Sequence, residues 1–446
     1  MKDLTQGNEY KLIINFAIPM LIGNIFQQFY NIVDSIIVGQ FIGKNALAAI
    51  GTSFPIFFLL VSAVIGIGMG ATVVLSQYFG AKDYENVRKT VETTYIFIIV
   101  LSILLTALGL AFDKAVLKFL KTPPEILPQA LIYLNTIIGG SIFLFSYNML
   151  AALLRGLGDS KSPLYYLIIS TITNIILDLI FILIFHWGVF GAAFATVISQ
   201  AVAFFIGMVH IKRKNISFLL IGSIKKIKFH SKIFKLSFKI GLPGAIQHIF
   251  ISAGVMALLK IINKFGPDAV AAFTIGGRID SFSFLPGFSI SASIATFAGQ
   301  NLGAGKIKRA IKGLKFSILI ISGLSILITI LVFLLQKYLI LIFNKDPRVI
   351  DFGTKYISVV ALFYIIVNNM FIFNGFLRGA GATVVPMISS FLGLWIVRIP
   401  FAIYFSDKMG IIGIWWAIPT AWTAGLITSA IYFFTYKWKY KIITRQ

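Results

Sequence analysis

The 446-residue chain has no cysteine, which excludes disulfides, thiolate metal sites and cysteine nucleophiles. Acids are scarce, 15 Asp and Glu in all, and His186 and His248 stand without the neighbours a metal site needs. Charged residues make up 12% of the chain, where a soluble protein carries about 25%. Neither a His-Glu-x-x-His zinc motif nor a Gly-Lys-Ser/Thr phosphate loop occurs, which argues against a zinc hydrolase and against ATP-driven pumping by this chain alone. No polar stretch is long enough for a separate soluble domain. An enzyme is therefore not expected, nor an organic cofactor.

What is present is apolar. Hydrophobic residues make up 58%, and the mean hydropathy is +0.92. Apolar runs of about 20 residues, each long enough to cross a bilayer core, recur from end to end. Twelve spans are expected, at 12–38, 46–78, 93–112, 126–154, 163–185, 190–211, 236–262, 269–299, 315–336, 350–377, 386–406 and 411–436. The first is too long and too lightly flanked for a cleaved signal peptide. The expected fold class is an all-α integral membrane protein of twelve helices in two six-helix lobes, V-shaped around a central cavity.

The net charge of +24 invites a nucleic-acid reading, but the basic residues sit in short loops and at span ends, with no domain to gather them into one patch. Sorted by side, 26 of the 39 Lys and Arg fall with the two termini and 11 on the opposite side, while Arg278 and Arg398 lie inside spans. This imbalance predicts that both termini and the basic 212–235 connection are cytoplasmic. The expected organisation is a cytoplasmic segment 1–11, a first lobe 12–211, a linker 212–235, a second lobe 236–436 and a tail 437–446. Trp415, Trp416 and Trp438 are expected to anchor the chain at membrane interfaces.

The halves repeat. Gly43, Gln77, Gly80, Arg155 and Pro163 recur 223 residues later as Gly266, Gln300, Gly303, Arg378 and Pro386. Pro19 matches Pro243, and Gly191 matches Gly413, with slips of one residue. Because each half has an even number of spans, the repeat is parallel, about an axis along the membrane normal, as in two-lobed alternating-access transporters.

Only Asp34, Asp178 and Asp280 among the acids fall well inside spans. A carboxylate in hydrocarbon is costly unless paired, hydrated, protonated or bound to a cation, so it marks a functional site by default. Asn174 and Asp178 are four residues apart and share a helix face. At 1.5 Å per residue, Asp34, Asp178 and Thr196 reach one level in the outer half of the first lobe, with Asn174 about one turn deeper. Such an all-oxygen set suits a hard cation such as Na⁺, and paired carboxylates also suit proton exchange. Interhelical hydrogen bonding is the alternative role for Asn174 and Thr196. In the second lobe the 223 offset puts Val397 and Phe401 at the places of Asn174 and Asp178. That lobe instead carries Arg278, Asp280 and Arg398, with Asp280 expected to pair with one of the arginines. Pro19 permits a kink in the helix that carries Asp34. Gln27, Asn31, Tyr147, Asn148 and Gln200 are placed to line a cavity, as are Met256, Phe284 and Phe288.

Over its full length the chain resembles the multidrug and toxic compound extrusion (MATE) transporters. The resemblance is carried by Pro19, Asn31-Ile-Val-Asp34-Ser-Ile-Ile-Val-Gly39, Gln77-Tyr-Phe-Gly80-Ala, Arg155-Gly-Leu-Gly-Asp159 and Asn174-Ile-Ile-Leu-Asp178. The chain is most similar to the prokaryotic branch related to the DNA-damage-inducible members. The resemblance implies export of organic, often cationic compounds in exchange for Na⁺ or H⁺, with Asp34, Asn174, Asp178 and Thr196 as the cation site, the Na⁺ ligands if sodium is the ion. It also implies that Gln27, Asn148 and Thr171 border a drug pocket. Another branch has an acid in span 7, where this chain has Gln247, His248 and Ser252. The expected partners are drug-like small molecules and membrane lipid, not nucleic acid, and a monomer in the cell membrane is the expected state. The alternative function is a flippase for lipid-linked oligosaccharide or peptidoglycan precursors, which share the fold. A pyrophosphate head group asks for several cavity-facing Arg or Lys.

Overall fold

The computed structural model describes residues 2–120, 122–214 and 227–445, so half of the 212–235 connection (215–226), with Lys225 and Lys226, lies outside the described residues. Helices and no strands occur among those described. In chain order they are α1 (Glu9–Phe41), α2 (Lys44–Gly80), α3 (Tyr84–Phe119), α4 (Leu127–Gly139), α5 (Ser141–Gly156), α6 (Lys161–Leu179), α7 (Gly188–Arg213), α8 (Ser231–Ile262), α9 (Pro267–Gly303), α10 (Ile307–Leu341), α11 (Pro347–Val360), α12 (Tyr364–Gly379), α13 (Val384–Phe391), α14 (Ile399–Met409) and α15 (Ile411–Phe434). Among the described residues eleven helical stretches are long and apolar enough to cross a membrane, and the bent α4–α5 pair, if one span, makes twelve.

Helix ends follow local chemistry. The Asp83 side chain caps α3 by accepting from the Asn86 N–H at 3.1 Å. The Arg-Gly-X-Gly motif closes α5 and α12 in the same way. Gly158 (φ 82°) and Gly381 (φ 84°) take the left-handed conformation that favours glycine. The next N–H then reaches back five residues, Asp159 to the Leu154 carbonyl at 2.9 Å and Ala382 to the Leu377 carbonyl at 2.9 Å.

Four of the expected spans are interrupted. The fourth span bends by 50° between α4 and α5, at Gly139-Gly140. The repeat-related place in the tenth span, Ala361–Phe363, is a 3-10 turn between α11 and α12. The fifth and eleventh spans contain π-helical turns, Ile180–Ile184 and Leu392–Arg398. A π-turn widens the helix by one residue and is frequent at functional sites; the first begins two residues after Asp178 and the second ends on Arg398.

The chain divides into two compact units, but not at the ends of the lobes read from the sequence. One unit holds Ile22–Ala245 and the other Asp3–Leu21 with Ile246–Gln446. The boundaries fall inside α1 and α8, two residues after Pro19 and Pro243. Each unit thus takes up the first half of the helix that opens the other repeat.

Close backbone approach accounts for this exchange. In the first unit Gly66 and Gly70 of α2 meet α8. A Cβ on Gly70 would lie 2.2 Å from the Ser237 carbonyl oxygen, and one on Gly66 would lie 2.5 Å from the Ala245 nitrogen. Small residues four apart let helices touch in a membrane, where no hydrophobic drive brings them together. The repeat-related residues of the second unit are Ser289 and Ser293 of α9, and Ser293 Oγ donates to the Ile13 carbonyl of α1 at 2.9 Å. The α1 end also packs Leu12, Ile13, Phe16 and Ala17 into the core around Phe297, Phe376 and Trp438.

Two tryptophans differ from their expected role. Trp415 and Trp438 are fully buried (0% exposed). Trp415 stacks on Phe273 and meets Tyr356 edge-on, and Trp438 stacks on Phe433. Their surrounding aromatics outbid the interface, and only Trp416 is exposed of the three.

Candidate functional site

The first unit gathers acids and hydroxyls from four helices. Asp34 and Tyr30 lie one turn apart on α1, Asn174 and Asp178 one turn apart on α6, Thr196 on α7 and Tyr133 on α4. Asp178 and Asn174 are buried, and Asp34 is half-buried. The Asp34 and Asp178 carboxyls are close enough to share a side-chain hydrogen bond. Ionised carboxylates only accept, so this contact requires a proton or a cation between them.

Asn174 orders the pair. With its nitrogen toward Asp178, the amide donates to Asp178 Oδ2 at 2.9 Å and accepts from the Thr196 backbone N–H at 3.2 Å. The reverse orientation offers only a 3.4 Å contact from Nδ2 to Thr196 Oγ1, so we assign the first. Thr196 Oγ1 donates to the Ala192 carbonyl at 3.2 Å, which leaves it accepting from the Tyr30 hydroxyl at 3.3 Å. Tyr133 lies within electrostatic reach of both carboxyls. Asp178 Oδ1 is buried with no hydrogen-bond partner. A buried orphan oxygen is costly, and beside the other oxygens it offers a hard cation a ready ligand.

The depth estimate from the sequence thus places Asp34, Asn174, Asp178 and Thr196 where the structure brings them together. Tyr30 and Tyr133 were missed. Tyr30 had a signal, since it stands four residues before Asp34 on the same helix face. Tyr133 had none without knowledge of how α4 packs. Among the described residues no three His, Cys, Asp or Glu side chains cluster as a transition-metal site.

The MatE family model matches this chain twice, over residues 19–180 and 243–404, so both repeats carry the family pattern. The chain belongs to the MatE family. It is 30% identical to the probable multidrug resistance protein YpnP of Bacillus subtilis (strain 168), covering 98% of this chain and 97% of that protein. It is 29% identical to the probable multidrug resistance protein NorM of Thermotoga maritima, covering 98% and 95%. The fold is similar to that of a solved outward-facing multidrug resistance MATE family transporter of the MOP superfamily, with a TM-score of 0.92 at 22% identity over 98% of each chain. As a MatE multidrug efflux transporter, the protein is not an enzyme.

In this MatE chain the second unit carries no copy of the first-unit cluster. Asp280 accepts from the Tyr356 hydroxyl at 2.6 Å and the Tyr364 hydroxyl at 2.7 Å. The expected pairing with an arginine takes the form of a through-space attraction to Arg398 rather than a direct contact. No Arg lies within 4.0 Å of Asp280 among the described residues, Arg278 is exposed, and Arg398 is buried with its Nε unpartnered, near enough to act on Asp280 only through space. Two phenol donors satisfy the carboxylate more cheaply than a guanidinium that would also need desolvation.

The cavity candidates divide. Gln27 and Asn31 are exposed on α1. Tyr147 is buried and ties α5 to α6 by donating to the Pro163 carbonyl at 3.2 Å, so it serves packing. Asn148 returns its amide to the Leu144 carbonyl of its own helix at 2.9 Å. Thr171 is buried, and Gln200 is buried with Oε1 unpartnered.

Proposed function

We propose that this transporter exports organic, often cationic and amphipathic compounds across the cell membrane in exchange for Na⁺ or H⁺. The observation that carries the proposal is the meeting of Asp34 and Asp178, with the orphan Asp178 Oδ1 beside them. Two acids that can neither both be ionised nor be left without a counter-charge form an exchange site. Cation binding there favours one facing state and substrate binding the other, and this reciprocity couples the two fluxes. Asp34 stands on α1, whose first half belongs to the other compact unit beyond Pro19. Filling the site therefore acts on a helix shared by both units, with Pro19 as the hinge, since proline frees a carbonyl in the preceding turn.

The multidrug names of the relatives support drug-like substrates, and we assign Gln27, Asn31, Thr171 and Gln200 to their path. The basic imbalance supports cytoplasmic termini in a monomeric, multi-pass cell-membrane protein. A lipid-linked pyrophosphate is the less favoured cargo, because Arg398 is committed beside Asp280 and Arg278 is a lone exposed cation within its span.

The test is efflux of a fluorescent cation from proteoliposomes under an imposed Na⁺ gradient and, separately, a pH gradient. Transport driven by either gradient and lost in the Asp34→Asn, Asp178→Asn double variant supports the proposal. Wild-type rates in that variant overturn it.

A further inference from the structure

A groove of about 490 Å³ lies within the second compact unit, between the first half of α1, the middle of α9 and α10. Its walls are Ile13, Ile14, Ala17, Ile18 and Leu21 on α1, the Pro286–Ile290 turn of α9, and Phe316 to Leu324 on α10. The lining is apolar but for Ser289 and Ser317, and Ser317 gives its hydroxyl to its own helix. Ile18 and Leu319 are exposed at its edge, so it opens outward along a membrane span. Ile13 to Leu21 and Phe316 to Leu324 each rise about 12 Å along their helices, close to one leaflet's share of a hydrocarbon core about 30 Å thick.

One end of the groove is basic on both walls. Lys312 and Lys315 stand one turn before the lining residues Phe316 and Leu319 on α10, and Lys11 one turn before Ile14 on α1. Tyr10 packs its ring against Phe316 at 4.2 Å, beneath Lys312 Nζ at 5.4 Å. Glu9 offsets part of this charge, since it pairs with Arg309 at 3.5 Å and Lys312 at 3.4 Å. Lys11 and Lys315 are exposed and have no carboxylate within 4.0 Å among the described residues.

We infer that this groove is a binding site for an anionic phospholipid, with an acyl chain along α1 and α10 and the phosphate between Lys11, Lys312 and Lys315. A lipid is the occupant that matches an apolar channel of leaflet depth ending in three lysines, two of them without a carboxylate partner among the described residues. On the topology proposed above the basic end lies in the cytoplasmic leaflet, where anionic lipids concentrate. The chain would lie beside Pro19, between Ile18 and Leu21.

The test needs no transport, so it stands apart from the antiport reading. The full-length protein, in detergent with equimolar phosphatidylglycerol and phosphatidylcholine, is examined by native mass spectrometry. Wild type should retain one phosphatidylglycerol in preference to phosphatidylcholine. Lys315→Gln should lower that preference about fivefold, and Lys312→Gln with Lys315→Gln about 25-fold. Gly323→Phe should remove the bound lipid of either kind. A Cβ on Gly323 meets nothing within 4 Å, so the new ring enters the groove without breaking packing. Lys408→Gln, remote in sequence on α14, should change nothing. Equal retention of the two lipids by wild type, an unchanged ratio in the lysine variants, or an unchanged lipid count in Gly323→Phe would overturn the assignment. Displacement of the lipid by a cationic dye would also overturn it, giving the groove to transported compounds.

Discussion

Asp178→Asn is expected to keep the fold and abolish concentrative transport. The side chain is buried and its shape is preserved. The new amide oxygen replaces Oδ2 as acceptor for the Asn174 Nδ2 that lies 2.9 Å away. Its nitrogen then adds a donor to a site where the two carboxyls offered only acceptors. Stability should stay within about 1 kcal/mol of wild type, the net worth of one exchanged hydrogen bond. Exchange itself is lost, because a covalently held hydrogen occupies the place of the exchangeable ion. If, on the function proposed above, the Asp34–Asp178 pair exchanges one cation per cycle, the energetics follow directly. With the membrane potential clamped at zero, a 100-fold cation gradient is worth about 2.7 kcal/mol and sustains a substrate accumulation ratio of about 100. Two cations per cycle would raise that ceiling to about 10,000, and the variant should sit near one. The assay is the static-head ratio of a radiolabelled quaternary ammonium compound in proteoliposomes, with a melting curve as the folding control. A variant that folds and still reaches a ratio of about 100 would refute the shared-ion reasoning.

Tyr30→Phe and Tyr133→Phe should fold normally but raise the half-saturating concentration of the driving cation, by about threefold to tenfold for the loss of one modest hydrogen bond or dipole; unchanged ion dependence in both would remove the tyrosines from the site. Tyr356→Phe and Tyr364→Phe should each cost about 1.5–3 kcal/mol of stability, because each deletes a hydroxyl bound to a buried carboxyl. Adding Asp280→Asn should make either loss smaller, and strict additivity in a double-mutant cycle would contradict the bonding seen at 2.6 and 2.7 Å. Gly70→Ala should cut the yield of folded protein sharply, since its Cβ would lie 2.2 Å from the Ser237 oxygen, whereas Gly51→Ala on the same helix meets nothing within 4 Å. Fluorescence-detected gel filtration separates the two, and equal profiles would mean that α2 and α8 do not pack as described.

Much of the architecture was legible because a bilayer permits few solutions. Apolar runs of about 20 residues must be helices, and a constant 223-residue offset must be a repeat. The convergence of Asp34, Asp178 and Thr196 followed from rise per residue alone. Other features depended on packing that spacing does not record. The buried state of Trp415 and Trp438 comes from Phe273, Tyr356 and Phe433, far away in sequence. The phenol partners of Asp280 lie 76 and 84 residues further on. The unit boundaries inside α1 and α8 follow from glycine and serine contacts whose significance appears only once the helices cross. The bend of the fourth span at Gly139-Gly140 was not read from the sequence, where 126–154 stood as one span.

The repeat makes the asymmetry of the buried charges informative. Tyr133 and Tyr356 are 223 residues apart and stand at equivalent places in the fourth span of each half. Tyr356 donates to the lone Asp280, and Tyr133 lies within electrostatic reach of the Asp34–Asp178 pair. The acids arrive from different helices. In the first unit they come from α1 and α6, while in the second the residues at the places of Asn174 and Asp178 are Val397 and Phe401 and the acid comes from α9. The two arrangements differ in what they can release. Asp280 already holds two hydroxyl donors with Arg398 nearby, so it has its counter-charge and hydrogen bonds within the protein. The first-unit pair has two acids, one amide donor and an orphan oxygen, so its balance must be completed from outside. An internally satisfied acid rigidifies packing, and an unsatisfied pair exchanges ions. The function proposed above therefore assigns coupling to the first unit, although both units are built from one helical plan.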